Sequence, residues 1–272
     1  MIAFSNCKIN IGLNILNKRG DNFHNIETIF YPIPFFDIIE ILPSEKFELI
    51  NEGIKIDCEI EKNLCYKAFK IIENKFDINP VKIILYKNIP FGTGLGAGSA
   101  NATFTIKLLN EFFDLKISKN QMKNFASKIG ADCPFFIENK PVFASGTGNI
   151  LEEIFLCLDN YFIVIAIPEI SVNTALAYKN STPAIPQENL KNLIKLPILE
   201  WKNCIKNDFE KNVFAEFPIL ENIKNEMYEN GAIYAQMSGS GSSVFGIFEK
   251  NPEKIKLKFC ENLKILKLNA LE

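Results

Sequence analysis

Four glycines at alternate positions, Gly92, Gly94, Gly96 and Gly98, punctuate the segment PFGTGLGAGSAN. Glycine permits positive φ and lets backbone N–H groups come close to a ligand. A helix beginning near Ser99 would add its unpaired amides and the positive end of its dipole. The pattern predicts an anion site suited to a di- or triphosphate. A plain strand-to-helix turn would need one or two of these glycines, not four. The loop lacks the G-K-[ST] of a Walker A motif. It does contain G-x-G-x-x-A (Gly92, Gly94, Ala97), with Asp114 about 20 residues on, the outline of a dinucleotide site. Its place mid-chain, after antiparallel-looking strands, speaks against that alternative. A second glycine-serine run, Ser238 to Ser243, reads as a hairpin turn, and beside a phosphate loop it becomes a second wall for the same ligand.

Two scarcities restrict the chemistry further. The chain has one histidine, His24, and one arginine, Arg19, which excludes histidine pairs and arginine clamps. Backbone amides and lysines are the groups left to hold phosphates. With Lys+Arg 30 against Asp+Glu 32 there is no global basic field for nucleic acid. The 7 cysteines are scattered without a C-x-x-C pair, which fits free thiols in a reducing cytoplasm better than a disulfide framework. No apolar run approaches the roughly 20 residues of a membrane span, and the N-terminus has no signal-peptide pattern.

The elements that must carry these residues can be read from periodicity. KINIGLNIL alternates Ile9, Ile11, Leu13 and Ile15 with polar positions, as a half-buried strand does. After the polar turn NKRGDNFHN come two strand-like runs, IETIFYPI and FFDIIEIL. Residues 64–76 read as a helix with Leu64, Ala68, Ile71, Ile72 and Phe76 on one face, and VKIILYKNIP as a strand ended by Pro90. Ser118 reads as the cap of a helix closed by Gly130 at C′. In the second half, YFIVIAI, ILENIKNEMYENG, AIYAQMSG, SSVFGIF, NPEKIKLKFCEN (Asn251 as N-cap, Pro252 at N1) and LKILKL follow in β-α-β-β-α-β order, a split βαβ pattern. The fold class is α+β in two lobes, residues 1–150 and 151–272, and 272 residues suffice for two modest cores.

Three segments in this order, an N-terminal lysine-bearing strand, the loop from Pro90 to Asn101 and the turn S-G-S-G-S-S, resemble the GHMP kinase superfamily. KINIGLNILNKRGDNFHNIETIF and GADCPFF resemble those members that phosphorylate the 2-hydroxyl of a cytidine diphosphate-linked polyol, in the non-mevalonate route to isoprenoid precursors. The resemblance implies a GHMP kinase fold, with an N-terminal lobe like a ribosomal-protein domain and a ferredoxin-like C-terminal lobe. It implies ATP as phosphoryl donor, with Mg²⁺ expected and no residue assigned to the metal. The partners implied are small molecules, with no nucleic acid and no membrane.

Residue roles follow from the same resemblance. Asp132 becomes the catalytic carboxylate and Lys8 its partner, where the residues alone would read as a helix cap and an exposed strand lysine. An aspartate of pKa about 3.9 facing an alcohol near 15.7 cannot deprotonate it in advance, since that costs roughly 16 kcal/mol at 1.36 per unit. A loose phosphoryl-transfer transition state asks only for positioning and late proton acceptance. Lys87, Pro90, Gly92, Thr93, Gly94, Leu95, Gly96, Ala97, Gly98 and Ser99 are implied at the nucleotide. Phe23 and Tyr178 are implied as the rings that stack a cytosine, with His24 reading its edge. Asn10 and Thr174 are implied in the substrate pocket. Phe23 stands where the family commonly has tyrosine, so stacking survives and a hydroxyl contact does not. Arg19 carries no implied role. The alternatives are a GHMP kinase for homoserine, mevalonate or a sugar, and a non-catalytic nucleotide-binding regulator on the same fold.

Overall fold

The computed structural model describes residues 1–268. The chain runs through β1 (Ile2–Lys18), β2 (His24–Pro43), β3 (Glu48–Gly53), a 3-10 turn (Ile60–Lys62), α1 (Leu64–Glu73), β4 (Val81–Lys87), α2 (Ala97–Phe112), α3 (Lys119–Ser127), α4 (Phe135–Glu138), β5 (Val142–Ser145) and β6 (Ile150–Glu153). It continues through β7 (Phe162–Ala166), α5 (Thr174–Asn180), α6 (Leu190–Leu193), α7 (Ile198–Cys204), α8 (Glu210–Glu216), α9 (Pro218–Glu229), β8 (Tyr234–Met237), β9 (Val244–Phe248) and β10 (Leu263–Lys267). These gather into two compact units that do not follow a single cut near residue 150. One comprises Met1–Cys7, Phe35–Phe91 and Gly96–Lys140; the other comprises Lys8–Pro34, Gly92–Leu95 and the chain from Pro141 onward.

In the first unit, β3 pairs parallel with β4, and β4 pairs antiparallel with residues 38–43 of β2. Helices α1 and α2 share their core, in which Ile39, Ile83, Phe69, Ile72, Ile106 and Leu109 are buried. The inward stripe of α1 is Cys65, Ala68, Phe69 and Ile72, a clean i, i+3, i+4, i+7 series. Of the face predicted from the sequence, Ala68 and Ile72 are buried and Leu64 and Phe76 pack partly buried against the core, while the helix ends at Glu73 rather than at 76. Asn63 caps α1 by accepting from Cys65 N. The cap predicted at Ser118 is present as a full capping box with Gln121. Gly130 lies beyond the expected C′ position, because α3 ends at Ser127 with Lys128 as its C-cap.

In the second unit, residues 28–30 of β2 pair with β5, which pairs with β6. Four further strands form an antiparallel sheet of order β10-β7-β9-β8, the order of a split βαβ sheet. Helix α9 covers it, burying Leu220, Ile223 and Met227 with Val164, Met237 and Val244. The helix expected over NPEKIKLKFCEN does not form. Ile255 and Leu257 alternate with lysines, a period that gives a helix no apolar stripe. The Glu226 carboxylate of α9 accepts instead from the backbone N–H groups of Lys258 and Phe259.

The two runs read as separate strands are one. β2 continues through Pro32 and Pro34, which lie between the stretch paired with β5 and the stretch paired with β4. There the missing N–H groups cost neither of those ladders a bond. The same prolines mark where β2 passes from the second unit to the first.

Candidate active site

In the first unit, the chain leaves β4 at Lys87 and re-enters as α2 at Ala97. Helix α2 starts two residues earlier than the sequence predicts. Gly96, at φ 69°, is its N-cap and offers no side chain to it. The amides of Ala97, Gly98 and Ser99 therefore have no intrahelical acceptor. Gly98 belongs to the first helical turn rather than to the loop. The Asp132 turn lies against this helix: Thr103 Oγ1 donates to Cys133 O at 2.8 Å, and a Cβ on Gly130 would stand 3.9 Å from Ser99 Oγ. Asp132 itself is half-buried, and its carbonyl accepts from Phe135 N at the start of α4. The N-cap of α4 is Pro134, two residues beyond Asp132. Burial pushes the neighbouring Cys133 thiol up to about 11, which keeps it protonated and out of the chemistry. Lys87 is buried, with its ammonium paired to Asp37 and 4.9 Å above the ring of Phe91.

The second unit holds loop residues Gly92–Leu95 together with Lys8 and the glycine-serine turn. Gly92 and Gly94 have φ of 67° and 76°. A Cβ on Gly94 would stand 2.0 Å from Ser238 O, so only glycine lets the two turns meet. Ser238 Oγ donates to Gly94 O at 2.9 Å, Ser243 N to Thr93 O at 3.1 Å, and Lys8 N to Leu95 O at 2.9 Å. Among the described residues, the hydroxyls of Ser242 and Ser243 are buried with no hydrogen-bond partner. Asn207 anchors the turn from beneath, donating to Met237 O and Gly239 O, both at 2.8 Å.

Lys8 and Asn10 are each 3% exposed, although the sequence places them on the polar face of a half-buried strand. Lys8 Nζ donates to Asn10 Oδ1 and sits 4.5 Å over the ring of Phe30. Asn10 Nδ2 donates to Thr28 Oγ1 at 3.0 Å, and Asn10 N to Ser238 Oγ at 3.2 Å. Thr28, Asn207 and Ser238 thus join the cluster. Ser238 is legible from its run, and Thr28 ends the H-N-I-E-T stretch of the resemblance, which assigns it no role; nothing in the sequence around Asn207 marks it.

The turn before β2 carries Phe23, 64% exposed, and His24, half-buried. His24 stacks on Tyr178 with ring centroids 5.1 Å apart and planes 14° apart, and Tyr178 meets Phe209 edge-on. The structure therefore brings His24 and Tyr178 together directly. Burial, then the nearby Lys18 charge, lowers the His24 pKa and favours the neutral ring. Thr174 Oγ1 lies 2.8 Å from Ser240 Oγ, which ties the start of α5 to the glycine-serine turn. Arg19, to which the resemblance gives no role, holds this turn in shape. It pairs with Asp21, whose Oδ1 accepts from Phe23 N, and it donates to Asn25 Oδ1 at 3.2 Å.

A split βαβ sheet, a glycine loop feeding a helix N-terminus and a glycine-serine turn seated on that loop define a GHMP kinase, a class of small-molecule kinases. The models for the GHMP kinase N-terminal and C-terminal domains match residues 63–140 and 183–265. A 4-diphosphocytidyl-2-C-methyl-D-erythritol kinase of Parabacteroides distasonis is 52% identical over 250 residues, 92% of each chain. A crystal structure of 4-(cytidine 5'-diphospho)-2C-methyl-D-erythritol kinase aligns at TM-score 0.79 and 28% identity, covering 92% of this chain and 91% of that one. The Methanococcus jannaschii mevalonate kinase shares the fold at TM-score 0.68 and 16% identity, over 99% of this chain and 98% of that one. The chain belongs to the 4-diphosphocytidyl-2-C-methyl-D-erythritol kinase family of the GHMP kinases.

Proposed function

We propose that this protein transfers the terminal phosphoryl group of ATP to the 2-hydroxyl of 4-diphosphocytidyl-2-C-methyl-D-erythritol, in the non-mevalonate route to isoprenoid precursors. The observation that carries this reading is the loop itself, with three left-handed glycines leading into the uncapped amides of α2. That arrangement fits a polyphosphate, because N–H groups and a helix dipole face it without a competing side chain. The unpartnered hydroxyls of Ser242 and Ser243 add donors in the turn that supports the loop.

In this reading, residues from Pro90 to Ser99 cradle the ATP phosphates and Lys87 supports the nucleotide arm. Mg²⁺ would come with the nucleotide and would neutralise its negative phosphate oxygens. Lys8 stabilises charge on the transferring group, its ammonium oriented by Asn10 and Phe30. Asp132 orients the acceptor hydroxyl and takes its proton late. Phe23 and Tyr178 stack the cytosine, and His24 leaves the Tyr178 ring to donate or accept at the base edge. Asn10 and Thr174 line the polyol pocket. The setting is the cytoplasm, in keeping with seven cysteines that form no disulfide.

Phosphorus NMR of the reaction with ATP, Mg²⁺ and the diphosphocytidyl substrate tests this. A new phosphomonoester resonance on the polyol is expected, with the diphosphate linkage intact. Release of inorganic phosphate alone would contradict it.

A further inference from the structure

We infer that Asp37 and Asn101 form a buried clamp joining the two stems of the glycine loop, and that both are positioning residues for the nucleotide. The inference rests on the loop being the nucleotide site. Asp37 lies on β2 and is fully buried. Its Oδ1 accepts from Asn88 N at 2.8 Å and from Ile89 N at 2.9 Å, the two residues through which the chain leaves β4 toward Pro90. Its Oδ2 pairs with Lys87 Nζ and accepts from Asn101 Nδ2 at 3.0 Å. Asn101 stands in the second turn of α2, where the chain has come back from the loop. Its Oδ1 accepts from Ser5 Oγ at 2.9 Å, so its amide is fixed at both ends.

A carboxylate offers about four acceptor sites, and here all four are taken by donors from the two stems. Burying a charged pair in a strand interior is expensive, and an apolar pair of similar volume would stabilise the fold as well or better. A local packing role therefore does not account for it. What the carboxylate does, and an apolar pair could not, is tie the exit of β4 to the entry of α2. The stem spacing then sets how the loop amides converge. A phosphate site works through preorganised donors, so a few tenths of an ångström of slack between stems falls on affinity for the nucleotide. Lys87 belongs to the same clamp as counter-charge to Asp37. Asn101 ends the loop motif PFGTGLGAGSAN, and the resemblance assigns it no role.

The clamp can be opened without unpairing the buried charges. Asn101→Ala leaves Asp37 with Lys87 and the two backbone donors, while Ser5→Ala removes a bond to the same amide and leaves the stems joined. By calorimetry, Asn101→Ala is expected to weaken ADP binding about tenfold, a loss of about 1.4 kcal/mol. The KM for ATP should rise in parallel, with kcat and the KM of the diphosphocytidyl substrate within about twofold. Ser5→Ala should stay within about twofold of the parent throughout. Should truncation unfold the chain, Asn101→Leu keeps the volume without the amide and should show the same split. Unchanged ADP binding in a folded Asn101 variant would overturn the clamp. So would an equal fall in active fraction with neither KM altered. A parent protein that binds no ADP would overturn the nucleotide reading and the clamp with it.

Discussion

Lys8 and Asn10 occupy the positions of β1 that alternation marks as solvent-facing, yet both are buried beside Phe30, Thr28 and Ser238. A period-2 pattern tells which positions are apolar, not whether a second layer covers the polar ones. For that reason Lys8 could be assigned only by resemblance, and Thr28 and Asn207 not at all. His24 shows the same limit: the resemblance alone puts it at a base, and only the fold stacks it on Tyr178. Arg19 gains a role for a similar reason: the polar turn is legible in the sequence, but the pairing of Arg19 with Asp21 and Asn25 that shapes it is not. At this scale the sharpest expectation concerns Asp132. Asp132→Asn keeps the side-chain volume and removes the proton acceptor. It should lower kcat by about 10²–10⁴ with an unchanged melting temperature. Near-parental turnover in a folded Asp132→Asn protein would remove Asp132 from the mechanism.

At the scale of elements, the glycine loop was readable as a phosphate site because its glycines exceed what a turn requires. The sequence could not say which of them bear the burden. Gly94 has φ of 76° and meets Ser238 O across the turn, whereas Gly98 sits in the first turn of α2 with only Leu64 Cδ1 near, at 3.5 Å. Opposite effects on stability follow. Gly94→Ala should cost about 2–5 kcal/mol, the sum of a left-handed backbone and a clash with backbone that cannot yield. Gly98→Ala should be neutral or add about 0.5 kcal/mol, because it lowers the entropy lost on forming the helix. Urea denaturation of the two variants checks both signs, and equal destabilisation would contradict the division. The missing helix at 251–262 teaches the converse. Asn251 and Pro252 supply a good start signal, but a start signal without a 3.6-residue stripe does not make a helix. The partner of Lys258 N, the Glu226 carboxylate, is 32 residues away in sequence and invisible to local reading.

For the molecule as a whole, the strand order β10-β7-β9-β8 is the one the β-α-β-β-α-β reading implies, even with its second helix replaced by irregular chain. The grouping into units was less legible. Residues 8–34 and the loop residues 92–95 go with the C-terminal half, and β2 passes through Pro32 and Pro34 between the units. Such long-range pairing leaves no mark on composition. At this scale the chain is expected to phosphorylate a cytidine-linked polyol rather than a simple alcohol. ADP release by the purified protein, with ATP and Mg²⁺, should be measured in parallel on the diphosphocytidyl substrate, homoserine, mevalonate and galactose. Turnover on the first, with the other three at background, is the predicted result. Turnover confined to homoserine, mevalonate or galactose would contradict it.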